Sequence, residues 1–132
     1  MTAAEAAVSR TLEQYISSTN AGDLEAFKGI LAVDVEFMPP DHPPVRGRES
    51  VGDWVRETFW DPFDIHFDAS FERIVVSGGE AFAPGTFSLR MTPKEGGDAI
   101  DVTGEFFNTF REESDGSWKY AYGIWNLDQP LS

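Results

Sequence analysis

The second half of the chain alternates apolar and polar residues in four long runs, and this pattern constrains the fold more than any other feature. The runs are the segment from Ile65 to the Gly78-Gly79 turn, residues 81–92, residues 99–112, and Trp118 to Asn126. A period of two predicts strands with one buried face. The short connections are rich in Gly, Pro, Asp and Ser, which favours hairpins. The second half is therefore predicted to be an antiparallel β-sheet.

The N-terminal segment has a helical period instead. Apolar residues recur at steps of three and four over residues 3–19, and Tyr15 falls on the apolar face. The helix is expected to stop at an abrupt corner, because Asn20 and Gly22 can take left-handed conformations. Asp23 is placed to cap the next helix by accepting hydrogen bonds from its free N–H groups. Tyr15 is thus expected about one turn before the corner, with its ring directed inward.

Two more helices and a stiff loop complete the first half. Residues 24–31 repeat the helical pattern over a short length, and Val35 to Met38 is a brief strand candidate. The segment from Pro39 to Pro44 contains four prolines, which forbid a helix and predict a rigid loop. A third helix is predicted beyond Gly47 and ends at Trp60-Asp-Pro62.

Three helices followed by hairpin-connected strands predict an α+β domain in which the helices cover one face of a strongly twisted sheet. The 132 residues suffice for one hydrophobic core but not for two, so residues 1–132 are interpreted as a single domain.

Charge and composition restrict the binding partners and the chemistry that are expected for this chain. Ten Lys and Arg residues against 23 Asp and Glu residues give a formal net charge of -13, which would repel nucleic acid and anionic membranes. The absence of cysteine excludes disulfides, thiolate nucleophiles and iron-sulfur clusters. The N-terminus has no signal-peptide pattern and no apolar stretch reaches membrane-spanning length. A cytoplasmic protein without nucleic-acid or membrane partners is expected.

Several short motifs carry a family resemblance. They are Tyr15 with Asn20-Ala-Gly-Asp-Leu24, the Gly47 that opens the third helix, Asp115-Gly-Ser-Trp118, and Ile124-Trp-Asn126. In this order, over nearly the whole chain, they resemble the nuclear transport factor 2-like superfamily, especially its SnoaL-like and ketosteroid isomerase-like branches. The resemblance implies a cone, formed by three N-terminal helices and a strongly curved antiparallel or mixed sheet. It also implies an apolar pocket at the wide end and a homodimer formed through the sheet.

The carboxylates of the isomerase are missing at the corresponding positions. In ketosteroid isomerase an Asp base works with a Tyr and a protonated Asp that bind the developing oxyanion. The tyrosine of the isomerase corresponds to Tyr15. Ungapped counting from the shared motifs places the catalytic base at Pro39 and the second acid at Phe106. An Asp that often precedes Ile-Trp-Asn in SnoaL-like sequences is Gly123 here. Isomerisation by that mechanism is therefore disfavoured.

Three residues remain candidates for chemistry. Tyr15 can donate a hydrogen bond to a ligand carbonyl or phenolate from an apolar wall, or it can be a core tyrosine bonded to a backbone carbonyl. Asp41 and His42, in the proline loop, can form an acid-base pair at the pocket mouth, or they can lie in an exposed turn.

The expected ligand-binding residues are Tyr15, Phe37, Met38, Trp54, Trp60, Phe106 and Asn108. The aromatic residues suit a flat polycyclic or isoprenoid ligand, but they equally suit a packed core. Asn108 is the polar exception on an apolar strand face, so it either orients a ligand or ties the sheet to a helix. No metal is expected, because Asp64, His66 and Asp68 stand too far apart along one strand face for one coordination shell, and a solvated polar face is the preferred interpretation. No cofactor is expected either.

In the last strand, alternation predicts one row of side chains facing the helices and another facing a partner or water. The rows are Trp118, Tyr120, Tyr122 and Ile124 against Lys119, Ala121, Gly123 and Trp125.

The leading hypothesis is a dimeric domain that binds a small hydrophobic molecule in its cone, with Tyr15 and Asn108 as polar anchors. One alternative is a cyclase, isomerase or hydratase that uses Tyr15 with Asp41 or His42. The other is an assembly module whose cone is filled by its own side chains.

Overall fold

The first two helices meet at a left-handed glycine. In the computed structural model, which describes residues 1–129, α1 spans Ala3–Ala21 and α2 spans Leu24–Gly29. Gly22 ends α1 with φ 63°, and the Asp23 side chain accepts from the N–H of Ala26 at 3.1 Å. The corner lies where it was predicted. Asn20, however, stays helical, and only Gly22 has the left-handed backbone.

The remainder of the first half contains two strands and the third helix. Strand β1 is Leu31–Met38, β2 is Val45–Arg46, and α3 is Arg48–Val55, which continues into a π-helical turn at Arg56–Trp60. The prediction of a helix to residue 31 was wrong at its end, because Leu31 already belongs to β1. The carbonyl of Ile30 accepts from the N–H of Tyr120 at 2.7 Å, so distant strand pairing determines this boundary.

The sheet contains seven strands. Those of the second half are β3, Phe63–Phe71; β4, Val75–Ser77; β5, Glu80–Pro93; β6, Ile100–Glu112; and β7, Trp118–Trp125. The order is β2-β1-β7-β6-β5-β3, with β4 paired to β5. Only β1 and β7 pair in parallel among the described strands, so the sheet is mixed. The run from Ile65 to Gly78 is divided into β3 and β4.

One face of the curved sheet is covered by the helices. Fully buried side chains of both layers include Val8 of α1, Phe27 of α2, Val51 of α3, and Phe110 and Tyr120 of the sheet. This arrangement confirms the predicted α+β class with N-terminal helices on a curved sheet. No helix within residues 1–129 has the length and apolarity needed to cross a membrane.

A β-bulge in β7 changes the face of the sheet on which the following side chains lie. Phe110 pairs with Tyr120, whereas the preceding Thr109 pairs with Tyr122, so Ala121 has no partner of its own. An extra residue in one strand shifts the alternation by one position. The predicted rows were therefore wrong after the bulge. Trp125 joins Tyr120 on the helix-covered face, and Ile124 faces outward with 42% of its surface exposed.

Candidate functional site

Aromatic side chains from both layers line a cavity of about 70 Å³ that is partly open to solvent. Its lining consists of Tyr15, Thr19, Phe27, Phe37, Trp54, Val55, Phe59, Ile65, Phe67, Phe87, Leu89, Phe106 and Trp125. None of these residues is charged at neutral pH. The polar groups of the lining side chains are two hydroxyls, on Tyr15 and Thr19, and two indole N–H groups, on Trp54 and Trp125. The site is therefore apolar with a few hydrogen-bonding positions.

Tyr15 is held in the wall by other rings. Its ring centroid lies 5.2 Å from that of Tyr120, 5.5 Å from that of Phe67 and 6.0 Å from that of Phe27. Within residues 1–129, its hydroxyl forms no hydrogen bond, and desolvation alone shifts its pKa. Burial raises the pKa of Tyr15 far above its usual value, so the phenol is neutral over the physiological range. It can donate a hydrogen bond to a molecule in the cavity.

Partly exposed aromatic residues of the lining form a contacting cluster. Trp54 of α3 packs against Phe59 of the π-helical turn at 5.5 Å between centroids, with an interplanar angle of 89°. Trp125 lies 6.1 Å from Trp54 and 5.5 Å from Phe37. Edge-to-face pairs favour particular ring orientations, so this cluster gives its part of the cavity wall a defined shape.

Asn108 does not line the cavity. Its amide is fully buried, donates to the carbonyl of Ala83 at 3.1 Å and accepts from the hydroxyl of Tyr120. Gly123 is its cross-strand partner, and a Cβ there would lie 2.5 Å from the Tyr120 hydroxyl. The Tyr120 ring thus occupies the space that glycine leaves open. Asn108 ties three strands together instead of meeting a ligand, which differs from both roles expected from the sequence.

Two other expected ligand residues also lie outside the lining. The indole N–H of Trp60 donates to the carbonyl of Thr19 at 3.0 Å, and its ring packs on Gly22. Trp60 therefore holds the helix corner. Met38 is at the end of β1, paired with Ile124 of β7. The other expected ligand residues, Tyr15, Phe37, Trp54 and Phe106, do line the cavity.

Asp41 and His42 are exposed in the proline loop, outside the cavity lining. Asp41 has φ 53°, a left-handed conformation that Asp tolerates. The Nδ1 atom of His42 lies 2.6 Å from the carbonyl oxygen of Pro43, which accepts its hydrogen bond. The His42 ring packs against Trp54 with centroids 5.6 Å apart. His42 thus contacts the lining residue Trp54, but it is not itself part of the cavity lining.

The polar row of β3 lies on the outer face. Asp64, His66 and Asp68 are all exposed, and Nε2 of His66 lies 3.1 Å from an Asp68 carboxylate oxygen. Within residues 1–129, no three acidic or histidine side chains are arranged to hold a metal ion.

The comparisons with known proteins agree with this geometry. The family model of the SnoaL-like domain matches residues 12–121. The chain belongs to the SnoaL-like domain family. This SnoaL-like domain has the nuclear transport factor 2-like fold, as the order of its helices and strands and the similar solved structures both show. No curated protein sequence matches the chain.

Three solved structures illustrate the similarity of the SnoaL-like domain. A ketosteroid isomerase-like protein from Erwinia carotovora atroseptica superposes with a TM-score of 0.87 at 18% identity, covering 98% of this chain and 100% of that chain. A nuclear transport factor 2-like protein from Salmonella enterica serovar Typhimurium gives 0.81 at 15% identity, with 95% and 91% covered. A hexachlorocyclohexane dehydrochlorinase from Novosphingobium barchaimii gives 0.85 at 18% identity, with 96% and 88% covered. Such identities establish a shared fold.

Sequence reasoning missed about two thirds of the lining. The missed residues are Thr19, Phe27, Val55, Phe59, Ile65, Phe67, Phe87, Leu89 and Trp125. Phe67 and Leu89 are cross-strand partners on inward-facing rows, so the alternation of their strands contained this signal. Trp125 was placed in the row opposite Tyr120, because the bulge at Ala121 is not visible in the sequence pattern.

Proposed function

We propose that this SnoaL-like domain binds one small, uncharged, largely apolar molecule in its cone, with the Tyr15 hydroxyl as the polar anchor. The observation that carries the proposal is an available donor in an apolar wall. Tyr15 lines the cavity, burial keeps its phenol protonated, and no described residue accepts its hydrogen bond. An acceptor on a ligand would give this hydroxyl a hydrogen-bond partner inside the apolar wall.

The cavity restricts the size of this molecule. Its volume of about 70 Å³ is well below the roughly 300–1,000 Å³ of sites for drug-sized ligands. A polycyclic or isoprenoid ligand, as the aromatic content suggested, does not fit this space. Because the cavity is partly open to solvent, a single ring can fill it and extend toward the opening. We therefore infer a ligand of one ring or of similar size.

The lining also restricts the chemical class. No described lining residue carries a positive charge, and the net charge of the chain is -13. A carboxylate ligand would lose its hydration without gaining a counter-ion. The free hydrogen-bonding groups are mainly donors, since Tyr15 and two indoles offer N–H or O–H groups. A neutral ketone, ester or ether matches these groups better than an acid.

Cyclohexanone, methylcyclohexane and cyclohexanecarboxylate form a suitable test series, because they share one ring and differ in the polar group. Titrations followed by intrinsic tryptophan fluorescence, to which the lining residues Trp54 and Trp125 contribute, should show saturable binding of the ketone, weaker binding of the hydrocarbon and none of the carboxylate. Tyr15→Phe should weaken ketone binding by about tenfold, the usual value of a lost hydrogen bond. Tyr122→Phe, on the outer face, serves as the matched control. Equal affinity of the ketone and the hydrocarbon, or no binding of either, would refute the proposal.

An enzyme of cyclase, isomerase or hydratase type remains the competing hypothesis, favoured by the packing of His42 on Trp54. A similar fold occurs in the dehydrochlorinase from Novosphingobium barchaimii. In this chain, however, the described lining contains no carboxylate and no imidazole that could serve as a base. If turnover of a bound ketone is found, Asp41→Asn together with His42→Gln should abolish it under this hypothesis, and unchanged turnover would exclude both residues.

For the partner, we propose a homodimer formed through the outer face of the sheet. Phe82 and Phe107 stack there with centroids 5.4 Å apart, and Phe107 and Ile124 are about two-fifths exposed. Exposed apolar patches of this kind favour association. Sedimentation should give twice the mass of one chain, and Phe107→Glu should give monomers. The exposed substitution Ser50→Glu on α3 is the control, and a monomeric wild type would contradict the proposal.

A further inference from the structure

The chain continues along β6 after β7 ends. We call residues Asn126–Gln129 the C-terminal strap. The N–H of Asn126 donates to the carbonyl of Glu105 at 3.1 Å, and the N–H of Asp128 donates to the carbonyl of Thr103 at 2.9 Å. The Thr103 hydroxyl donates to the Asp128 carboxylate at 2.8 Å. These bonds hold the strap at a fixed position on the sheet.

The strap turns onto the helix-covered face at Gly104. A Cβ at this position would overlap the carbonyl oxygen of Asn126 and would lie 2.8 Å from the ring of Phe87. Both neighbours therefore occupy space that any larger residue would fill. The close approach brings the next residue of the strap, Leu127, against the cluster of Phe67, Phe87 and Phe106.

All three phenylalanines of this cluster line the cavity. Leu127 does not line it, but it is partly buried against the cluster that does. Interiors are close-packed, so the position of a ring depends on what lies behind it. The Leu127 side chain thus packs against the phenylalanine wall without being part of the cavity lining itself.

We propose that Leu127, held by the C-terminal strap, determines the size of ligand that the cone accepts. This inference rests on the proposed function. With the strap in place, the phenylalanine wall limits the cavity to about 70 Å³ and to a single ring. Truncating the Leu127 side chain leaves space behind the wall, into which the phenylalanine rings can move. The cavity then extends toward the strap and accepts a second fused ring.

The strap can be altered separately from the rest of the sheet. Its side-chain hydrogen bonds lie at exposed positions, where each contributes little to the stability of the fold. Leu127 is its one large apolar side chain among residues 126–129. Changes at Leu127 or at the Thr103–Asp128 bond should therefore alter the cavity without unfolding the sheet.

Two ketones test the proposal, cyclohexanone with one ring and 1-decalone with two fused rings. Leu127→Ala should increase the affinity for 1-decalone relative to cyclohexanone by about tenfold, the value of roughly two buried methylene groups. Thr103→Val, which removes the bond to Asp128, should change the ratio in the same direction. Leu127→Met, which conserves volume, is the control and should leave the ratio near that of the wild type.

The failure of this inference differs from the failure of the proposed function. If the wild type binds cyclohexanone but Leu127→Ala leaves the ratio unchanged, the size role of Leu127 is refuted and ligand binding stands. If neither ketone binds any variant, the proposed function fails. The role of Leu127 in limiting the cavity is then tested without a ketone, in crystals under xenon pressure. Leu127→Ala should show greater xenon occupancy between the three phenylalanines than Leu127→Met. Equal occupancy would overturn the inference.

Discussion

Alkaline pH should destabilise the protein through Tyr15 and Tyr120. Burial raises the pKa of both phenols far above the usual value, and the adjacent Tyr15 phenol adds to the effect on Tyr120. In the unfolded chain both phenols ionise near pH 10, whereas in the native chain they keep their protons. Above pH 10 the unfolded state therefore binds fewer protons than the native state, and the free energy of unfolding falls as pH rises. Below pH 10 this contribution to stability is fully present.

The size of the effect follows from the number of buried phenols. With an unfolded pKa of about 10, each phenol lowers the free energy of unfolding by about 1.4 kcal/mol between pH 8 and pH 11, and the two together by about 3 kcal/mol. Urea unfolding at several pH values between 8 and 11, followed by far-ultraviolet circular dichroism, measures this slope. Tyr15→Phe and Tyr120→Phe should each remove about half of the tyrosine contribution.

Tyr120→Phe also breaks the hydrogen bond to Asn108 and should lower stability at every pH. The comparison therefore uses the change with pH, which is independent of that constant loss. If both variants keep the slope of the wild type, the native phenols titrate as they do in the unfolded chain. The enclosed, neutral Tyr15 on which the proposed function depends would then be refuted.

Two further substitutions test the fold around the site. Asn20→Ala should lower the free energy of unfolding by about 2 kcal/mol in urea, because its amide donates to the Phe67 carbonyl at 2.8 Å and accepts from the Phe67 N–H at 2.6 Å. Gln14→Ala, on the exposed side of the same helix, is the control, and equal losses in both variants would contradict this role. Glu105→Gln should stabilise the protein as pH rises above about 4.5, because the hydrogen bond and negative charge of Asp128 raise the pKa of Glu105. The stabilising contribution of protonated Glu105 in the wild type is lost as pH rises through that raised pKa. A difference in unfolding free energy between variant and wild type that does not change with pH would refute the interaction between Glu105 and Asp128.

Elements with a strong local period could be predicted from the sequence. The helix that carries Tyr15 and the long strands β5 and β6 each show their period over a dozen or more residues, and their type was predicted correctly. The boundary at Leu31 was not, because a short apolar run suits either helix or strand. The pairing of β1 with β7, more than 80 residues away, decides it.

The cavity was less predictable because it depends on register. Asn108 was placed on the helix-covered face, but its partner Tyr120 reaches it only because Gly123 leaves space and Ala121 forms a bulge. The same bulge turns Trp125 into the cavity. A single unpaired residue thus exchanges the two faces of a strand, and no periodicity within β7 reveals it.

The central claim is that the Tyr15 hydroxyl meets a neutral ligand inside the cone. A crystal structure with cyclohexanone bound tests it most directly, with Tyr15→Phe crystals treated identically for comparison. We expect the ring within the cavity and its carbonyl oxygen about 2.7 Å from the Tyr15 hydroxyl oxygen. A ketone bound elsewhere, or bound in the cone with its oxygen directed away from Tyr15, would contradict the claim.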